Sequence, residues 1–122
     1  MPALRAWQAA GPAGEAGRPD ALRIYRIVFE WDPGKAARNL EKHRVTFFEA
    51  ASVFTDPEGL DLPDDAHSAA ERRNWRIGMS DEGRVLTVVY AVRRVGDGEA
   101  IRIISTRAAS RKERAAYASR ED

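Results

Sequence analysis

The chain has 122 residues, with 20 lysines and arginines, 19 aspartates and glutamates, and no cysteine. This length suits one domain with a modest core, and the lack of cysteine excludes disulfides and thiolate metal sites. No apolar run approaches the roughly 20 residues that span a bilayer, and no secretory signal follows Met1, so we expect a cytoplasmic protein without a membrane segment.

The net charge of +1 hides an uneven distribution of charge. Six acidic residues lie between positions 56 and 74, whereas basic residues predominate in the segments on either side. Seventeen of the 20 basic residues are arginine, which favours bidentate contacts with phosphate. This pattern suits a partner rich in phosphate, although an ordinary solvated surface carries such charges too.

The chain begins with a segment rich in alanine, glycine and proline that shows little apolar periodicity. We therefore predict a disordered tail over 1–21 and a single folded domain over 22–122. Residues 22–31 alternate between apolar and polar side chains, which predicts one strand with a buried face. The apolar positions of this strand are Tyr25, Ile27, Phe29 and Trp31.

Two short helices are predicted next. Asp32 followed by Pro33 is typical of an N-cap and a first helical position, so a helix should run over 33–43. Thr46 and Glu49 have the spacing of a capping box, which opens a second helix that ends near Thr55.

The remainder of the chain predicts three strands and a final helix. The predicted elements are an acidic loop at 58–70, strands at 74–80, 85–92 and 101–106, and a helix that a second capping box opens at Ser110 and that runs to about Ser119. The fold class is α+β: an N-terminal strand, two short helices, a three-stranded antiparallel meander and a C-terminal helix, with the helices packed on one face of the sheet.

Familiar catalytic motifs are missing from the sequence. His43 and His67 are 24 positions apart and lack the spacing of metal ligands, so we predict no metal site. Phosphate-binding glycine loops and the serine nucleophile elbow are also missing. Nucleotide hydrolysis and redox chemistry are therefore not expected, and neither is a cofactor.

Arginines on the predicted strands remain as candidates for chemistry. Arg76 and Arg102 lie inside apolar strands, where a cation needs a partner or solvent on one face of the sheet. If both open onto the same face, they form a rigid phosphate clamp, and Arg107 ends the same strand as Arg102. Cleavage of RNA by its own 2′-hydroxyl needs such cations around the phosphorane oxygens, together with a base and an acid. His43 is the candidate for proton transfer, because histidine titrates near neutral pH.

Each of these candidates also has a structural explanation. His43 lies in the last turn of its helix, where a histidine interacts favourably with the helix dipole. Arg102 could instead pair with Glu30 across strands, and Arg76 could be a structural partner in the same way. Trp31 and Trp75 suit the core better than base stacking.

The predicted helices carry further basic side chains that suit contacts with RNA or with a protein partner, or simply a solvated helix face. These residues are Lys35, Arg38, Lys42, Arg111 and Arg114.

Several segments resemble BrnT toxins, the ribonuclease half of a bacterial toxin–antitoxin pair. They are the Asp-Pro-x-Lys-Ala-x-x-Asn-x-x-Lys-His and Val-Thr-Phe-x-Glu-Ala motifs at 32–50, the stretch 71–80, the Arg-Ile-Ile-Ser-x-Arg motif within 101–109, and Glu-Arg-x-x-Tyr at 113–117. The resemblance implies a RelE-like fold and a metal-independent ribonuclease that inhibits translation. It also implies a BrnA-like antitoxin of the ribbon-helix-helix class, which we expect in a 2:2 complex that binds operator DNA through the antitoxin.

A second interpretation belongs to another class of protein. The chain could be a non-enzymatic module whose basic sheet face binds nucleic acid or an acidic protein. Toxicity of the chain on its own would separate the two interpretations.

Overall fold

The computed structural model describes residues 21–24, 27–67, 71–96 and 98–119. In this part of the chain, three helices pack against one six-stranded sheet, which confirms the predicted α+β class. In chain order, the elements are β1 (Ala21–Ile24), β2 (Ile27–Glu30), α1 (Pro33–His43), α2 (Phe47–Ser52), a 3₁₀ turn (Val53–Thr55), β3 (Leu60–Pro63), a second 3₁₀ turn (Asp65–His67), β4 (Arg73–Met79), β5 (Val85–Val95), β6 (Gly98–Ala108) and α3 (Arg111–Ser119). The predicted tail over 1–21 lies, apart from Ala21, outside the described residues.

The strands are ordered β1-β2-β6-β5-β4-β3. Neighbouring strands are antiparallel except β2 and β6, which are parallel. A parallel pair needs a long crossover connection, and here the crossover contains α1, α2 and the strands β3 to β5. The predicted meander of β4, β5 and β6 is confirmed, and its long strands β5 and β6 form the centre of the sheet.

The single strand predicted over 22–31 is wrong, because this segment forms a hairpin of two short strands. The register pairs Ile24 with Ile27 and Ala21 with Glu30. Phe29 and Trp31 are both buried, as their alternation predicts. The alternation therefore marks the buried face correctly but does not reveal the turn. The predicted core position Tyr25 lies outside the described residues.

The predicted starts of α1 and α2 are confirmed. The Asp32 carboxylate caps α1 by accepting the Lys35 backbone N–H at 2.8 Å, and Thr46 Oγ1 accepts the Glu49 N–H at 3.0 Å. The chain leaves α1 through Arg44, whose φ of 60° is the left-handed conformation common at helix ends. No helix in the described ranges is long and apolar enough to cross a membrane.

The core lies between α1, α2 and one face of the sheet, which we call the inner face. This face carries Leu86 and Val88 of β5, and the opposite, outer face carries their neighbours Thr87 and Val89. The buried cluster consists of Phe29, Trp31, Val45, Phe47, Ala50, Ala51, Val53, Leu86, Val88 and Ile103.

The expectation that all helices pack on one face is wrong, because α3 lies on the outer face. Thr87 Oγ1 donates to Glu113 of α3 at 2.8 Å. Ile77, which pairs with Thr87 and so lies on the same face, is buried. An apolar side chain on the outer face needs a cover, and α3 provides one at this end of the sheet.

Asn39 of α1 closes the edge of β6 where β2 has ended. β2 pairs with β6 only over Ala100–Arg102. Farther along β6, Asn39 Oδ1 accepts the Thr106 N–H at 3.1 Å, and Nδ2 donates to the carbonyls of Thr106 at 2.9 Å and Val45 at 3.1 Å. One buried side-chain amide thus takes the place of a neighbouring strand and fixes α1 to the sheet.

Two irregularities shape the rest of the sheet. In the pairing of β5 with β6, Val89 lies opposite Ser105 and Tyr90 opposite Ile103, so Ile104 is the extra residue of a β-bulge. The segment 58–70, predicted to be an acidic loop, contains the strand β3, which pairs with β4. That prediction is therefore wrong for the part of the segment that β3 occupies.

Candidate nucleic-acid interface

Arg76 is almost completely enclosed by the segment that precedes β3. Its guanidinium donates to the carbonyls of Val53 at 3.1 Å and Asp56 at 2.6 Å, and forms an ion pair with Asp61. Only 12% of the side chain is exposed. The Tyr90 hydroxyl donates to the other oxygen of Asp61 at 2.8 Å. Arg76 therefore fastens the chain between 53 and 61 to β4.

The expected clamp of Arg76 and Arg102 on one face is wrong. Arg76 pairs with Val88, which lies on the inner face, whereas Arg102 pairs with Ala91. Paired residues on neighbouring strands project to the same side, and successive residues of a strand alternate. Val88 and Ala91 therefore point to opposite sides, and so do the two arginines.

Arg102 and Arg107 share the outer face. Arg107 pairs with Thr87 and Arg102 with Ala91, and both partners belong to that face. Between the two arginines, across β4, β5 and β6, lies a row of three partly exposed side chains, Trp75, Val89 and Ser105. We call this surface the outer-face patch, which consists of Arg73, Trp75, Val89, Arg102, Ser105 and Arg107.

Glu113 of α3 orients Arg107 within the outer-face patch. The two side chains form a bidentate ion pair, with Nη1–Oε1 at 2.7 Å and Nη2–Oε2 at 2.9 Å. The guanidinium carbon also lies 5.9 Å from the centre of the Trp75 ring, within the range of a cation–π contact.

The surroundings of Glu113 also fix its charge. The pKa of Glu113 is lowered to about 2, chiefly by the hydrogen bonds from Arg107. Hydrogen bonds from the Ser110 N–H and the Thr87 hydroxyl lower this pKa further, whereas partial burial of the carboxyl group acts in the opposite direction. The ion pair also raises the pKa of Arg107. Both groups are therefore charged at neutral pH, and Arg107 is held in one orientation.

Arg102 differs from Arg107 because its guanidinium has no hydrogen bond or ion pair within the described ranges. Glu30, the partner expected for it, binds Arg93 instead, with Arg93 Nε at 2.7 Å from a Glu30 carboxylate oxygen. The alternative in which Glu30 neutralises Arg102 is therefore wrong. Arg102 is partly exposed on the outer face and has no ion-pair partner within the described ranges, so an anion could bind it there.

Comparison with known families gives these residues a context. A family model described as the ribonuclease toxin, BrnT, of type II toxin–antitoxin systems matches residues 31–113. The chain belongs to the BrnT family. It is therefore a ribonuclease toxin of a type II toxin–antitoxin system, with RNA as substrate and a protein antitoxin as partner. A search of curated proteins gives no match.

The matched range of this BrnT family member contains both Arg102 and Arg107 and ends at Glu113. It also contains His43, which no hydrogen bond or ion pair within the described ranges joins to the outer-face patch. His43 is the last residue of α1, which is bonded to β6 through Asn39 and packs on the inner face.

The basic side chains predicted to contact RNA or a partner fall into two groups. On the inner side of the sheet, α1 carries Lys35, Arg38 and Lys42, all exposed. On the outer side, α3 carries Arg111 and Arg114, and Arg114 donates to the Ala109 carbonyl at 2.7 Å. These two groups therefore lie on opposite sides of the sheet.

Sequence reasoning missed Glu113 as the partner of Arg107. The capping-box pattern identifies Glu113 only through its bond with Ser110, which the structure confirms in both directions: the Glu113 N–H donates to Ser110 Oγ at 3.1 Å, and the Ser110 N–H donates to Glu113 Oε1 at 2.8 Å. The available signal was a glutamate six residues after a strand-end arginine, in a capping box that places it at the start of the next helix. Within the described ranges, no group of three or more histidine, cysteine, aspartate or glutamate side chains could hold a metal ion.

Proposed function

We propose that the outer-face patch is the surface at which this toxin cleaves RNA, that cleavage needs no metal ion, and that it inhibits translation. The observation that supports this most directly is Arg102, a partly exposed arginine without a partner among the described residues, on the same face as Arg107. A cation at this position can bind a phosphate and stabilise the negative charge that develops on the phosphorane oxygens.

The remaining residues of the patch suit the other parts of a nucleotide. Trp75 and Val89 offer an apolar surface beside the cations, and Ser105 offers a hydroxyl. Arg107 carries a charge that Glu113 already compensates, so we assign it to positioning the RNA rather than to the main charge stabilisation. We do not assign proton transfer to His43, because within the described ranges no hydrogen bond or ion pair joins it to the patch.

Metal independence follows from the chemistry that we propose. In RNA the neighbouring 2′-hydroxyl can attack the phosphate, so the protein need only supply proton transfer and charge stabilisation. The described residues offer arginines around the patch but no cluster of three metal-ligating side chains. Cleavage in vitro should therefore survive EDTA and leave 2′,3′-cyclic phosphate ends. Cleavage that returns only with added Mg²⁺ or Mn²⁺ would contradict this.

We further propose that the antitoxin is a BrnA-like ribbon-helix-helix protein, that two toxins bind one antitoxin dimer, and that this complex binds operator DNA through the antitoxin in the cytoplasm. Ribbon-helix-helix proteins dimerise through paired strands, which favours a 2:2 assembly. The exposed cations of α1, Lys35, Arg38 and Lys42, suit carboxylates of the antitoxin. Light scattering on the co-purified pair tests the stoichiometry, and a 1:1 heterodimer would refute it.

The decisive experiment compares two arginines on opposite faces of the sheet, neither of which has an ion-pair partner among the described residues. Arg102→Ala should reduce RNA cleavage about a hundredfold, the typical effect of removing a preorganised charge donor, and should abolish growth arrest. Arg94→Ala is the matched control, because Arg94 lies on the neighbouring strand, also lacks a partner among the described residues, and projects from the inner face.

Both variants should unfold at the temperature of the parent protein, since neither side chain makes a hydrogen bond or ion pair within the described part of the chain. Equal toxicity of the parent and Arg102→Ala would refute the assignment. RNA binding without any cleavage by the parent protein would instead favour the non-enzymatic module.

A further inference from the structure

An apolar groove between α1 and α2 shares no lining residue with the outer-face patch, where the RNA chemistry is proposed. Its volume is about 190 Å³, and its lining consists almost entirely of apolar atoms from Trp31, Ala36, Ala37, Leu40, Phe47 and Phe48. Leu40 is 43% exposed and Phe48 is 38% exposed, which is high for large apolar side chains. The Phe48 ring packs edge-on against Trp31, with ring centroids 5.1 Å apart. Exposed apolar side chains gathered at a groove are typical of a binding surface.

The groove continues past Phe48 into a second, polar cleft. This cleft has a volume of about 420 Å³, and Thr46 and Phe48 belong to the walls of both. Its charged lining residues are Glu49, Asp81, Glu82 and Arg84. Arg84 forms an ion pair with Glu49 at 2.8 Å, and the charge of Glu82 also raises the pKa of Arg84. Three carboxylates therefore face one guanidinium, and the cleft is negative overall.

The negative charge of the cleft indicates which kind of molecule binds the groove and the cleft. RNA carries negative charge along its whole backbone, so the acidic cleft disfavours it. A second copy of the chain that met this surface symmetrically would place the same acidic cleft of each copy in one interface, which like charges oppose. The remaining partner is the protein antitoxin that a type II system contains.

We propose that the groove and the cleft together bind one segment of the antitoxin, with an apolar side chain inserted beside Leu40 and a neighbouring lysine or arginine in the acidic cleft. The proposal rests on the toxin–antitoxin function stated above. An apolar anchor flanked by one charged contact is a common arrangement at the centre of protein interfaces. Because α1 and α2 pack on the inner face, this docking surface is separate from the outer-face patch.

The experiment separates docking from toxicity with a matched pair of leucines. Leu40→Ser removes an anchor contact, whereas Leu62→Ser changes a leucine of similar exposure, 40%, on β3 outside the groove. Each full-length variant is expressed alone and then with increasing amounts of the antitoxin encoded by the neighbouring open reading frame. Leu40→Ser should arrest growth like the parent but need about tenfold more antitoxin for rescue, and adding Phe48→Ser should raise this to about a hundredfold.

Charge reversal tests the acidic cleft independently. Glu82→Lys should also weaken rescue, whereas Glu99→Lys, an exposed change at the far hairpin of β5 and β6, should not. Circular dichroism confirms folding, and Leu40→Gln provides a second variant if Leu40→Ser unfolds. Equal rescue of the Leu40 and Leu62 variants would overturn the proposal. So would light scattering that shows the toxin alone as a dimer that Leu40→Ser dissociates.

If the parent chain proves non-toxic, the proposed ribonuclease function fails but docking can still be measured. Co-purification with the tagged antitoxin then serves as the readout. Docking in the groove is supported if the tagged antitoxin retains the Leu62→Ser chain but loses the chain that carries both Leu40→Ser and Phe48→Ser. Equal retention of the two chains overturns it.

Discussion

Replacing Asn39 by alanine should loosen the attachment of α1 to the sheet. The Asn39 side chain is buried and makes three hydrogen bonds, two with the backbone of Thr106 and one with the carbonyl of Val45. Alanine would leave one backbone N–H and two carbonyls without this partner in a region that water does not reach. A buried polar group that loses its partner costs about 1–3 kcal/mol.

The lower end of that range applies to each of the three groups, because carbonyls tolerate a missing partner better than N–H groups and α1 can shift slightly. The expected loss in the free energy of unfolding is therefore about 3 kcal/mol. For a domain of about 100 ordered residues, each kcal/mol lowers the melting temperature by roughly 4 °C, so Asn39→Ala should melt about 12 °C below the parent.

Thermal and urea unfolding, followed by circular dichroism, measure this difference. Arg38→Ala is the matched control: it changes the preceding residue of α1, which is exposed and makes no side-chain bond within the described ranges, and should melt within about 2 °C of the parent. Asn39→Asp should be at least as damaging as alanine at neutral pH, because it places a carboxylate against two carbonyl oxygens. Melting of Asn39→Ala within the range of the Arg38 control would refute the role assigned to the amide.

Three further predictions concern the charged networks. Arg76→Ala should lower the free energy of unfolding by about 2 kcal/mol, because it removes buried bonds to two carbonyls, and urea unfolding checks this. The pKa of Glu113 is lowered to about 2 from 4.5, so its ion pair should stabilise the fold above pH 4.5 and lose that contribution as the pH falls towards 2; Glu113→Gln should show a smaller loss over the same acid titration. Burial of Glu49 opposes its ionisation, yet hydrogen bonds from Arg84 and Ser80 outweigh this and lower its pKa. Arg84→Ala should therefore be less stable than the parent at pH 7, and the gap should narrow at acid pH as the carboxyl is protonated; a constant gap would contradict this.

The sequence predicts local features well, because they depend on neighbouring residues. Helix caps at Asp32, Thr46 and Ser110 appear where their spacing places them. The reciprocal half of the capping box at Thr46 is the exception, because Glu49 binds Ser80 and Arg84 instead of its own helix end. Those partners are distant in sequence, so no local pattern predicts them.

The faces of the strand arginines could not be predicted for the same reason. Whether Arg76 and Arg102 share a face depends on the register of three strands, and the apolar residues around both look alike in sequence. β3 was not predicted, because an acidic segment by itself gives no sign of the strand that it pairs with. In the structure β3 pairs with β4, and this pairing brings Asp61 against Arg76. The site is therefore predicted only as a set of arginines, and the structure decides which of them belong together.

The bulge in β6 has a consequence for how relatives of this chain should be compared. Arg102 and Arg107 are separated by an odd number of positions, which in an uninterrupted strand would put them on opposite faces. The extra residue Ile104 shifts the alternation by one, and both arginines then point outward. A relative that lacks this single residue would retain both arginines in an alignment and yet turn one of them towards its core. Identity at the two positions therefore indicates a shared outer-face patch only when the spacing between them is also the same.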